Sequence, residues 1–160
     1  PDGHTFVRES EWGSTMTKRE IRYRNTALNG VFYYDTKEIS EAQKINELGP
    51  LGFEEYCREH VKKLGYEVKT CQNYDGGIDI RAMKVLDNLE TEYLIVQCKH
   101  WKTPIPPNEM RAFKTACDEE HSDYKKVKMF ITSSRFSPSA RELANKHNII
   151  MIDGDDLIKQ

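Results

Sequence analysis

Much of what this 160-residue chain could be is excluded by what it lacks. No apolar run approaches the ~18 residues that a membrane-crossing helix needs, and no hydrophobic signal-peptide core is present. An excess of positive charge is missing as well. The 24 Lys and Arg stand against 26 Asp and Glu, for a formal net charge of −2. That balance argues against a non-specific polyanion coat and leaves room only for a local basic groove. Cysteine is sparse: Cys57, Cys71, Cys98 and Cys117 match no Cys-x-x-Cys zinc spacing. Cys57, Cys98 and Cys117 fall within apolar periodicity and read as reduced, buried thiols of an intracellular protein, of cytoplasm or nucleoid/nucleus. The five histidines are scattered and form no ligand pair. Repeats and low-complexity tracts are absent. The length fits one domain, or one domain with a modest extension, and is enough to bury a core.

The chain reads in two parts, 1–45 and 46–160. Residues 1–17 show no periodicity and read as a loose leader, in which Gly13-Ser14 ahead of Met16 resembles an expression scar. Residues 21–26 and 31–35 flank Asn29-Gly30, a dipeptide that favours a tight hairpin turn. Ser40 and Gln43 have capping-box spacing, and Ile39, Ala42, Ile45 and Leu48 follow at helical spacing until Gly49-Pro50. The spacing predicts a second helix over 51–64, with Phe53, Tyr56, Cys57, His60, Val61 and Leu64 in one stripe. Glu54 lies on the flank of that stripe and Glu55 on its far side. Strands are expected at 66–70, 77–83 and 93–99, with a polar turn at 87–92. Pro104, Pro106 and Pro107 then break regular structure, and Asn108 is a candidate cap for a helix burying Met110, Phe113, Ala116 and Cys117. A strand at 128–132 follows. Ser137-Pro138 opens a helix that buries Ala140, Leu143 and Ala144, and a last strand at 148–152 leads to Asp153-Gly154. This order makes an α/β fold, a mixed β-sheet flanked by helices, with core order αβββαβ plus a further α and β.

Chemistry concentrates at two strand ends. One strand opens with Tyr74-Asp75-Gly76-Gly77-Ile78-Asp79-Ile80, and another closes with Val96-Gln97-Cys98-Lys99. Side chains alternate along a strand, so Gln97 and Lys99 share a face and Cys98 takes the other. Ile78 and Ile80 are expected on one face, anchoring Asp79 on the opposite one. An acid, an amide and an ammonium can then converge beside one metal ion. Taken singly, Asp-Gly-Gly is most often a turn and a Lys near a strand end is most often solvated. Their combination at the edges of apolar runs is what suits a ligand site.

Five features in order resemble the Mrr group of restriction-endonuclease-like nucleases, within the wider PD-(D/E)XK superfamily. They are Phe53-Glu54 with Leu64-Gly65-Tyr66, the Asp-Gly-Gly-Ile-Asp turn, Val-Gln-Cys-Lys, Ile131-Thr132-Ser133-Ser134-Arg135-Phe136, and Ile152-Asp153-Gly154. The resemblance covers residues 50–158, includes Gln where most superfamily relatives have Glu, and does not explain residues 1–45. It implies a restriction-endonuclease-like fold and metal-dependent hydrolysis of DNA phosphodiester bonds, restriction-type, with modified DNA as one substrate option. On this view Glu54, Asp79, Gln97 and Lys99 are catalytic. Mg²⁺, with Mn²⁺ as substitute, would be held by Asp79, Gln97, the peptide carbonyl of Cys98, and Glu54 directly or through water. Without the resemblance, Glu54 would read as the i,i+4 partner of Arg58.

DNA contacts are expected from His100, Lys102, Arg111 and Lys114, a basic run opposed by Glu109, and from Ser133, Ser134 and Arg135 at a helix N-terminus. The bland readings are a solvated face for the run and simple helix capping by Ser137 at that N-terminus. Trp101 reads first as a packed residue, and Asp75 as a turn cap. Two other functions stay open: a catalytically inactive nucleic-acid-binding module of the same fold, and a structure-selective nuclease or junction resolvase, for which cutting two strands would favour a homodimer.

Overall fold

The computed structural model describes residues 5–6, 19–26, 31–69 and 76–159. Most of the expected leader, the Asn29-Gly30 turn, Cys71 and Asp75 lie outside them, but Thr5 and Phe6 of the leader form a short strand instead of loose chain. The chain divides into two compact units, residues 1–47 and 48–160. In the first, β1 (Thr5–Phe6), β2 (Arg19–Thr26) and β3 (Val31–Glu38) form an antiparallel sheet of order β1-β3-β2. The hairpin strands run longer than the sequence pattern suggests, with Thr26 opposite Val31 at the turn end. Helix α1 (Glu41–Glu47) is opened by Ser40, whose Oγ accepts the Gln43 N–H at 3.2 Å. The Gln43 amide reaches forward to Glu47 instead of closing the capping box.

The second unit follows the expected order. Its elements are α2 (Pro50–Lys63), β4 (Glu67–Lys69), β5 (Ile80–Val85), β6 (Thr91–Lys99), α3 (Pro107–Glu119), β7 (Lys125–Thr132), α4 (Pro138–Lys146), β8 (Ile149–Ile152) and α5 (Gly154–Ile158). The sheet order is β4-β5-β6-β7-β8. β4, β5 and β6 pair antiparallel, and β6, β7 and β8 pair parallel. The parallel half needs crossovers, which α3 and α4 supply. The short helix α5 is the element the sequence pattern missed. Asp153, expected to end a strand, caps it through a reciprocal box with Asp156.

Register assigns the two faces. Ile80, Val96 and Met129 share one face, and Ile95, Gln97 and Phe130 share the other. On the second face α3 and α4 bury Met110, Phe113, Cys117, Ala140 and Ala144 against Ile95, Phe130 and Ile149. Helix α2 packs on β6 and β4 and buries Phe53, Cys57, His60 and Val61. Leu64 departs from the expected stripe: it is the exposed C-cap residue, one step past the last helical turn. Asn108 is not a cap either. The helix starts at Pro107, whose fixed φ suits a first helical position, with Pro106 extended before it. No helix among the described residues is long and apolar enough to cross a membrane.

Polar ties close the end of the sheet away from Lys99. Lys126 Nζ bonds the carbonyls of Cys117 and Glu120 at the end of α3, and Lys128 Nζ bonds that of His147 at the end of α4, each cation meeting the negative pole of a helix. Glu120 accepts from Arg81 Nε at 2.6 Å, from an Arg81 terminal nitrogen at 3.1 Å and from the Tyr93 hydroxyl at 2.7 Å. The Arg81 contact holds the Glu120 carboxyl below its usual range, with Tyr93 adding to the effect, against burial. Glu120→Gln should cost about 1.5–3 kcal/mol, as for a hydrogen bond to a charged group. Because the folded pKa is depressed, this contribution exists above the unfolded value and is lost as pH falls through the folded one. Urea unfolding of parent and variant should therefore differ at neutral pH and converge in acid.

Candidate active site

The site is built where β5 begins and β6 ends. Gly76 and Gly77 lead into β5 at φ +45° and +104°, a region that side chains disfavour, so both glycines are required by the turn. The Asp79 N–H donates to the Val96 carbonyl at 2.8 Å, extending the ladder one residue beyond the strand. This sets the Asp79 carboxylate against the following peptide of β6. Oδ2 accepts the Cys98 N–H at 2.7 Å and the Gln97 amide Nε2 at 2.6 Å. The same Nε2 reaches the Cys98 carbonyl at 3.3 Å. Gln97 is only 6 % exposed, so both of its amide protons are used inside the protein. The expected convergence of Asp79 with Gln97 is present. The expected anchor is not: Ile78 lies before the strand and packs with Phe113 and Phe130 on the α3 face, while Ile80 pairs with Val96 on the other. Alternation fails there because residue 78 is still in the turn.

Burial pushes the Asp79 carboxyl above its ordinary range, while the Cys98 N–H, the charges of Lys99 and Arg58 and the Gln97 amide pull it down. A partly buried carboxyl of this kind gains from a further cation. Among the described residues no group of three or more His, Cys, Asp or Glu side chains could hold a metal. The oxygens that do converge are of another kind, a single carboxylate and a peptide carbonyl, and the donor between them is an amide. Turning that amide would exchange Nε2 for Oε1 and leave three hard oxygens together, a donor set that fits Mg²⁺. The Cys98 thiol takes the other face and stays protonated, raised by its hydrogen bond to Cys57 and by burial. Cys98 can therefore serve through its carbonyl and not its sulfur.

Lys99 lies on the Gln97 face. Its Nζ is 3.5 Å from Glu109 Oε2 and 5.5 Å from the centre of the Trp101 ring. Trp101 packs against the core, as its bland reading holds. Across the strand end, Glu54 receives Arg58 at 2.5 Å, and Glu55 receives the same guanidinium at 3.3 Å. Glu54 is half-buried and its charge bears on Cys98, but its carboxylate is engaged. Sequence reasoning did not assign Arg58 or Glu109 to the site. The signals available were one helical turn between Glu54 and Arg58, and the lone acid in the basic run.

The remaining candidates separate. His100 stacks on Phe53 with ring centres 4.9 Å apart and meets Ser133 Oγ through Nδ1 at 2.7 Å. Ser133 Oγ also donates to the Trp101 carbonyl at 3.3 Å, so one hydroxyl ties the imidazole to the loop after β6. Ser134 Oγ donates to the Thr103 carbonyl at 2.8 Å, and Thr132 Oγ1 to that of Lys99 at 2.9 Å. These hydroxyls brace the loop after β6. Gly154 completes the brace: its N–H donates to the Ser134 carbonyl, and a Cβ there would collide with the Ser133 carbonyl. The helix cap is Ser137, which accepts the Ala140 N–H at 3.1 Å. Lys102, Arg111 and Arg135 are exposed. Lys114 does not join them; it pairs with Asp118 at 2.6 Å and its charge bears on His147.

The model of a restriction endonuclease family, Mrr_cat, matches residues 45–160. The chain belongs to that family. The Mrr-type fold is also found in solved structures. A DNA modification-dependent restriction endonuclease, AspBHI, is 11 % identical, with a TM-score of 0.54 over 97 % of this chain and 58 % of its own. A repair endonuclease from Pyrococcus abyssi is 10 % identical, with a TM-score of 0.51 over 96 % of this chain and 66 % of its own. A protein of unknown function, AF1548, is 17 % identical, with a TM-score of 0.54 over 66 % and 63 %. The chain thus spans less than two thirds of each of these structures. No curated protein matches it.

The Asp79–Gln97 contact gives a direct test. Gln97→Glu replaces a donor with an oxygen beside Asp79 Oδ2 and leaves acceptors facing one another. In chelator at neutral pH the variant should lose about 1–3 kcal/mol of stability, the cost of an unsatisfied buried polar group. Urea unfolding reads the loss, and an unchanged midpoint would mean that the amide does not hold the carboxylate.

Proposed function

We propose that this Mrr-type domain is a metal-dependent endodeoxyribonuclease whose centre is the Asp79–Gln97–Lys99 junction. The observation that carries the reading is the meeting of the Asp79 carboxylate and the Cys98 carbonyl on one Gln97 amide, with Lys99 two residues on along the same face. Asp79, the Cys98 carbonyl and Gln97 Oε1 would hold Mg²⁺, or Mn²⁺ in its place, and Glu54 would join on leaving Arg58. The ion would supply water activation and offset negative charge on the phosphate. Lys99 stabilises the charge that gathers on the phosphate in the transition state, as a compact ammonium at a fixed place. Gln97, being neutral, lets Asp79 carry the full negative charge of the seat. Lys102, Arg111 and Arg135 meet backbone phosphates on either side, while the braced loop from His100 presents the imidazole Nε2. The free thiols of Cys57, Cys98 and Cys117 among the described residues fit a reducing compartment inside the cell.

The engaged Glu54 favours one alternative, a DNA-binding module that has lost catalysis. Cleavage of plasmid and of methylated and unmethylated duplex in Mg²⁺, with EDTA as control, separates the two. The nuclease reading expects cutting that stops in EDTA and is abolished by Asp79→Ala with the fold retained. Lys99→Ala should bind metal and DNA as the parent does but cut ~10²–10³-fold more slowly, without rescue at high Mg²⁺. Undiminished cutting in excess EDTA would refute the reading.

A further inference from the structure

We infer that Glu109 is a positioning residue for Lys99, resting on the nuclease reading above for what Lys99 does. Glu109 is in the first turn of α3, ten positions along the chain from Lys99, and the two meet only because α3 folds back over the α3 face of β6. Both side chains are largely covered, 25 % and 30 % exposed, so this pair is less screened than an ordinary surface one. The local chemistry of α3 makes Glu109 available. A glutamate at the third helical position commonly turns back to the N–H of the capping residue. Here that residue is Pro106, which has no N–H to offer. The Glu109 carboxylate is therefore free of the cap and reaches Lys99 instead. Pro106 and Pro107 also restrict the backbone that carries it, and Ile105, buried and bonded to Arg135 and Ser137, anchors the loop before them. Trp101 lies beneath the ammonium from a second direction. A four-carbon side chain at a strand end would otherwise sample many rotamers. Glu109 and Trp101 confine it beside Asp79, where its charge is already felt.

A role in positioning differs from a role in metal or DNA binding. Removing the charge of Glu109 would, if anything, strengthen the attraction for polyanionic DNA, so loss of affinity is not expected. The cost should fall on the chemical step. The test uses the full chain as the parent, Glu109→Gln, Glu109→Asp, Lys99→Ala and the Lys99→Ala/Glu109→Gln pair. Single-turnover cleavage of duplex DNA in saturating Mg²⁺ gives the rates, and calorimetric titration with Mn²⁺ in the absence of DNA gives metal affinity. Glu109→Gln should slow cleavage by ~10- to 10²-fold, the scale of a misplaced catalytic group. KM should stay level or fall, Mn²⁺ affinity should hold, and Glu109→Asp should recover part of the rate. In the Lys99→Ala background the same change should cost less than about twofold, since non-additivity marks groups that act through one another. An equal loss in that background, or weaker Mn²⁺ binding, overturns the assignment. A separate readout does not depend on cleavage: NMR of ¹³C-lysine-labelled protein, with the Lys99 Cε–Hε signal assigned by its absence in Lys99→Ala. Two distinct Hε resonances in the parent that merge in Glu109→Gln support the confinement of Lys99. Merged resonances in both overturn it, whether or not the DNA is cut.

Discussion

The contact on which the site depends is the one between Asp79 Oδ2 and the end of β6. A carboxylate at the start of one strand accepts a peptide N–H and a side-chain amide from its neighbour, so an edge of the sheet becomes a fixed polar junction. Burial raises the cost of that charge and the donors around it lower the cost. The balance leaves a carboxyl that is held in place and still short of positive charge. Everything proposed about metal and catalysis follows from that shortage.

The surrounding fold keeps the junction still. β6 lies at the centre of the sheet, antiparallel to β5 and parallel to β7, and its residues 94–97 are buried. Two helices arrive from opposite faces, α2 bringing Glu54 and Arg58 and α3 bringing Glu109. The loop that leaves β6 is tied down by Thr132, Ser133 and Ser134, and those in turn by the close approach of Gly154. Gly154, near the end of the chain, therefore supports the loop after β6 without touching the junction. Preorganisation of this kind is what a charged transition state needs.

The order of the larger elements in residues 48–160 and the shared face of Gln97 and Lys99 were legible because they rest on local periodicity, whereas the meeting of Asp79 with Gln97 rests on strand register. Alternation put Gln97 and Lys99 on one face, and Ser137-Pro138 announced its own cap. Alternation failed at Ile78, which precedes the strand, and the stripe failed at Leu64, which follows the helix. Other features depend on neighbours distant in the chain. That Ser133 and Ser134 brace a loop depends on Trp101 and Thr103, about thirty positions earlier in the chain. Glu109 looked like an opposing charge in a basic run until α3 folded onto β6, and Lys114 left that run for Asp118. The helix α5 was hidden because Asp153-Gly154 reads equally well as a turn.

The central claim is that the place now taken by the Gln97 amide is a cation seat. A crystal structure with Mn²⁺ and uncut duplex DNA, recorded at the manganese absorption edge, tests it most directly. The account predicts an anomalous peak coordinated by the Asp79 carboxylate and the Cys98 carbonyl, with the Gln97 amide turned to present its oxygen. DNA bound with Mn²⁺ elsewhere, and Gln97 still donating to Asp79, would contradict it.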